Sequence, residues 1–167
     1  MSDGAQWIAD QVENQFGAQG HYVVDLYHVC EYLAEAAEVV CSCAQGEEAK
    51  RTWIEAQKKR LKENLSSTVL ESLLPHLESP KVSDEQAPVR RCYRYLHNRR
   101  HQLNYKDALE QGLPLGSGEI ESAHRYIVQN RMKIAGAWWK KDNAEAMLSL
   151  RICRVNGQWE GYWKSVA

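Results

Sequence analysis

The sequence predicts a mainly α-helical protein with a small α/β part, and three observations lead there. Apolar residues recur at spacings of three and four over most of the chain, the period of a helix with one buried face. A single short β-favouring run, residues 22–24, offers a strand. Glycine and proline fall between the periodic stretches rather than inside them. At 167 residues the chain has the length of one ordinary domain with its own core.

The first helix follows Asp3 and Gly4, with Ile8, Val12 and Phe16 four residues apart and Gly17 as its stop. HYVVDLYH then supplies the strand, Tyr22 with Val23 and Val24, ending at Asp25. Val29, Leu33, Ala36 and Val40 predict a helix from Val29 to about Ala44, stopping near Gly46. A charged helix over roughly 47–64 sets Ala49, Trp53, Ala56 and Leu61 on one side. A shorter one carries Val69, Leu70, Leu73 and Leu74 and ends by Pro75. LESPKVSDEQAP, bracketed by Pro80 and Pro88, reads as a linker between two helical parts of one domain.

Charge is distributed unevenly. The first 49 residues hold nine of the 22 acidic residues and no Lys or Arg, so all 21 basic residues lie beyond them. Such a chain can gather cations at one end and a polyanion at the other, although solvated acidic and basic helices give the same pattern. The most basic stretch is VRRCYRYLHNRRHQLNYK, residues 89–106, with six Lys or Arg, two His, three Tyr and no acidic residue. Arg90, Arg91, Arg94, Arg99 and Arg100 there suit a face that tracks nucleic-acid phosphates, with tyrosines available for stacking. As a plain surface helix, the same segment would turn Tyr93 and Leu96 inward and leave the arginines in water. The five cysteines, at 30, 41, 43, 92 and 153, include no C-x-x-C pair. Cys41 and Cys43 beside His28 and Cys30 admit a metal reading, against the simpler one of reduced thiols on helical faces. No apolar run reaches membrane-spanning length, and MSDGAQWIADQ lacks the basic start and apolar core of a signal peptide, so a cytoplasmic protein is expected.

The segment LPLGSGEIESAHRYIVQNRMKIAGAWW concentrates chemistry. Gly112, Pro114, Gly116 and Gly118 make a tight turn, and Ser117 suits the N-cap of the helix that follows. Ile120, Ala123, Ile127 and Ile134 fall on one face of that helix, while Glu121 shares a side with His124 and Arg125. Acidic residues at a helix start are favoured by the macrodipole alone, so spacing does not separate a reactive Glu119 or Glu121 from an ordinary one. Trp138, Trp139, Trp159 and Trp163 read as core or core-edge residues ahead of base-stacking ones.

Several of these runs, in order, resemble one family. GLPLGSGEIESAHRYIVQNRMK, then GAWWKKDNAEAMLSLR, then NGQWEGYW resemble the C-terminal part of DDE transposases of bacterial insertion sequences, in the group related to Mutator-like transposases. DGAQWI and VVDLYH are similar to that family's central region. The resemblance implies a truncated RNase H-like fold with a helical insertion, missing the first core strands. On it, residues 1–46 form a partial core, 47–111 the insertion, and 112–167 the helix of the catalytic Glu and the tail. It matches the family's second Asp to Asp3 and its Glu to Glu121, with Glu119 as the neighbouring alternative, both acting as catalytic metal ligands for Mg²⁺ or Mn²⁺ in the intact enzyme. The D-x-x-H signature falls on Asp25 and His28, which would order the site; a packed or hydrogen-bonded His28 is the simpler role. Arg125, Arg131 and Lys133 would meet DNA phosphates, and the partners implied are transposon ends, target DNA and further copies of the chain. The family's first Asp lies on an earlier strand, so the expectation is a C-terminal fragment, inactive alone and associated with the bacterial nucleoid when on DNA. A non-enzymatic helical DNA-binding or regulatory remnant is the alternative.

Overall fold

A computed structural model describes residues 6–20, 22–41 and 46–166, and it is mainly helical. It divides into two compact units, Met1–Ser117 and Gly118–Ala167. The boundary thus falls inside the glycine-rich turn.

In the first unit, α1 (Gln6–Phe16) ends where Gly17 takes a positive φ of 51°, as its position in the sequence suggested. Helix α2 (Leu26–Val40) packs against α3 (Gly46–Lys62) and most extensively against α5 (Pro88–Asn98). The reason is in the spacing. Val29, Leu33 and Ala36 on α2, and Val89, Cys92 and Leu96 on α5, are wholly buried, and both triplets repeat at three and four residues. Leu61 of α3, Val69 and Leu73 of α4 (Ser66–Leu73), and Tyr105 at the start of α6 (Tyr105–Glu110) close the same core. Each of these large apolar side chains contributes about 1.5–3 kcal/mol on removal from water. Gln57 is buried with them; it accepts from Arg60 at 3.0 Å and from the Ser72 hydroxyl at 3.5 Å, so its carbonyl is satisfied.

The expected strand is reduced to Val24, a single bridge residue, and no strand forms among the described residues. Val24 donates its amide to the Gln102 carbonyl at 3.0 Å, and the chain enters α2 two residues later. The apolar run therefore serves the core directly, with Val23 and Val24 both buried. The 77–88 linker is also more than a spacer. Glu78 accepts the Val89 and Arg90 amides at 2.9 and 2.8 Å, capping α5 at an end where Pro88 has no N–H to satisfy.

The second unit begins with α7 (Gly118–Ala123), continues through a π-helical turn (His124–Gln129) and finishes in α8 (Asn130–Met132). Two further helices follow, α9 (Lys141–Val155) and α10 (Trp159–Val166), and none of the unit's described helical residues is buried. The single apolar face expected through Ile134 does not materialise. The π turn breaks the 3.6-residue period, the helix stops at Met132, and Ile120 and Ile134 are exposed. Arg151 of α9 donates to the carbonyls of Tyr126 and, at 2.6 Å, Ile127, two backbone acceptors within the π turn.

Candidate functional site

Asp25 sits at the N-terminus of α2, where four backbone N–H groups lack helical partners. Its Oδ1 accepts the Tyr27 amide at 2.7 Å and the His28 amide at 3.4 Å, a cap that the sequence Asp-Leu-Tyr-His supplies locally. Its Oδ2 accepts the Ser117 amide at 2.7 Å, from a residue 92 positions away. Beside it, the Leu26 amide donates to the Leu115 carbonyl at 2.9 Å, and the ring of Tyr27 covers Gly116. The turn 115–117 is thus fastened to the start of α2, one residue before the helix that carries Glu119 and Glu121. Asp25 is only 7% exposed, and burial alone would raise its pKa. The Ser117 hydroxyl and the amides of Ser117, Tyr27 and His28 outweigh burial, and the carboxyl is held below its ordinary value.

His28 lies one turn along α2, hydrogen-bonded through Nδ1 to Glu31 at 2.8 Å. Its ring meets Tyr32 and Tyr95 edge-on, and those two tyrosines stack at 4.1 Å with Arg99 over the Tyr95 face at 4.2 Å. His28 is therefore a packed, hydrogen-bonded histidine at the α2–α5 contact.

Glu119 and Glu121 are both exposed in the first turn of α7. Glu121 lines a shallow concavity with Gly118, Ser122, His124, Arg125 and Gln129, in which the His124 Nδ1 and the Gln129 side-chain amide lie 3.3 Å apart. Asp3 lies outside the described residues, as do Cys43 and its neighbours. Among the described residues no three His, Cys, Asp or Glu side chains converge on a point that could hold a metal ion. Mg²⁺ prefers several oxygen ligands, and one carboxylate beside an arginine does not meet that need, so the described residues do not by themselves fit the ion.

The basic residues fall into two groups. Arg90 and Arg94 both reach Asp84, at 3.0 and 2.7 Å, and Arg90 also donates to the Ser79 and Val82 carbonyls. Arg91 pairs with Glu35 of α2, Arg99 caps the tyrosine stack, and Arg100 is exposed. The acidic partners missing from 89–106 come from elsewhere in the chain. In the second unit, Arg125, Arg131 and Lys133 are exposed, and no carboxylate of the described residues pairs with them.

Sequence reasoning missed one participant and gave two others a different role. Ser117, expected to cap the following helix, instead gives its amide and hydroxyl to Asp25. Arg151 braces the π turn from 24 residues away. Trp138, expected to pack, is 97% exposed, whereas Trp139 next to it is half-buried. Alternation along the extended residues before α9 carries the signal for that difference.

Fold and site together define a mainly helical protein in which a buried capping aspartate holds the turn leading into an exposed helix of mixed charge. The chain belongs to the uncharacterised protein family UPF0236, whose profile matches residues 1–166. The UPF0236 protein in vanSb 3′ region of Streptococcus gallolyticus is 26% identical over 165 residues, covering 97% of this chain and 34% of the relative. The chain therefore spans about a third of the length of that curated relative. No solved structure matches it.

Proposed function

We propose that this chain is the C-terminal portion of a DDE-type transposase with a truncated RNase H-like fold, acting in DNA strand cleavage and transfer as part of the intact enzyme. One observation carries the reading. Asp25 of the D-x-x-H signature is hydrogen-bonded to Ser117, at the entrance to the Glu121 helix, so two motifs of the resemblance 92 residues apart meet in space. Asp25 holds that entrance, and the resemblance gives His28 a site-ordering role beside it. Glu121 contributes one carboxylate to a set that Asp3 and an earlier aspartate complete, and Mg²⁺ or Mn²⁺ belongs to that completed set. Arg125, one turn beyond Glu121, and Arg131 with Lys133 neutralise DNA phosphates, as exposed cations can.

The test is Mg²⁺-dependent nicking of end-labelled DNA by a full-length protein containing this chain. Glu121→Gln is expected to abolish cleavage and Glu119→Gln to leave it. Undiminished cleavage by Glu121→Gln would remove that residue from the reaction. The same exposed cations also support a second reading, a DNA-binding remnant without activity. It predicts binding whose log affinity falls with log salt by about 0.9 per phosphate contacted, with no cleavage.

A further inference from the structure

We infer that Trp138 is a base-stacking contact for an unpaired nucleotide, held between cations that grip the flanking phosphates; the inference rests on the nucleic-acid reading above. Trp138 is 97% exposed, in a chain where most large apolar residues are at least partly covered. Leaving an indole in water forgoes about 1.5–3 kcal/mol of burial, which a base stacked on its face would recover.

The mount is built rather than slack. The Lys133 amide closes the preceding helix onto Gln129 at 3.0 Å, and the Ala137 amide closes a turn onto Ile134 at 3.1 Å. Gly136 occupies the third position of that turn with a φ of 75°, which a side-chain-bearing residue adopts only under strain. The segment then runs extended into α9, as Lys140 records with φ −70° and ψ 144°. Successive side chains of an extended segment point to opposite sides, so Trp139 turns inward and Trp138 outward.

Charge selects the occupant. Residues 131–141, RMKIAGAWWKK, carry Arg131, Lys133, Lys140 and Lys141 and no carboxylate of their own; all four cations are exposed, and Lys141 pairs with Glu145 of α9 at 3.8 Å. A flat apolar face between exposed cations matches a base between its phosphates, and stacking on it is indifferent to sequence. Bases inside a duplex are already stacked, so the nucleotide taken is unpaired, as at a nick, a frayed end or a single strand.

The full chain is titrated with a fluorescently labelled single-stranded oligonucleotide, with the same sequence as a duplex, and with anionic vesicles. Trp138→Ala is expected to weaken single-strand binding ~5- to 100-fold and leave duplex binding unchanged, with Trp138→Phe recovering part of the loss. A fluorescent purine analogue in the strand should report stacking with the native chain and lose that signal with Trp138→Ala. Equal single-strand affinity of the native and Trp138→Ala chains would overturn the stacking role alone. Absence of any oligonucleotide binding at low salt would overturn it together with the nucleic-acid reading, and binding to vesicles alone would do the same in favour of a membrane surface.

Discussion

Asp25 accepts three backbone amides while almost wholly buried, so its removal strips a helix cap and unfastens a turn at once. Asp25→Ala is expected to cost about 2–3 kcal/mol in urea unfolding, a cap plus a charge-assisted hydrogen bond. Asp25→Asn should cost less, because its amide keeps one oxygen acceptor. Because the folded pKa lies below the ordinary 3.8, the carboxylate's contribution is present above about pH 4 and lost as pH falls through the lower folded value. A pH series of urea midpoints should show that acid loss in the native chain and a smaller one in Asp25→Asn. Asp25 and His28 stood out in the sequence only through their resemblance to a D-x-x-H signature. The bond from Ser117 did not stand out, since a backbone donor 92 residues away leaves no mark in the local pattern.

At the scale of elements, α5 shows how far periodicity reads. Its buried face of Val89, Cys92 and Leu96 follows from the spacing, with Leu96 inward as the sequence indicated. Its basic face was legible as charge but not as pairing, because Asp84, Glu35 and Glu78 arrive from other segments. Asp84 is held below its ordinary value by hydrogen bonds from Arg94 and then Arg90, so acidification releases both arginines together. Glu78 serves α5 differently, as an acceptor for two otherwise orphaned amides. Glu78→Ala is expected to lower stability by about 1 kcal/mol, read as a lower urea midpoint at unchanged slope. The strand at residues 22–24 was misread for a related reason. Val and Tyr favour a pleated surface only when a neighbouring strand exists to form it, and here the adjacent capping aspartate starts a helix instead.

Across the whole molecule, burial differs sharply between the units. The first holds a contiguous core, whereas no described helical residue of the second is buried. Leu33→Ala should therefore cost about 2–5 kcal/mol, and Ile152→Ala, at 47% exposure, less than about 0.5 kcal/mol. Native-state hydrogen exchange should agree, with amides of α9 and α10 opening at lower free energy than those of α2 and α5. Equal protection in both sets of helices would contradict this contrast.

The sequence by itself determined most helices of the first unit, several of their ends, the inward residues of α2 and the inward Leu96 of α5, because helical period, caps and turn glycines act over a few residues. Tertiary structure alone decided that Asp25 would hold Ser117, that carboxylates from distant segments would occupy the α5 arginines, and that Trp138 would face water while Trp139 turned in. Those outcomes depend on which groups the folded chain brings within hydrogen-bond reach, and partners far apart in the chain have no fixed spacing from which to read them.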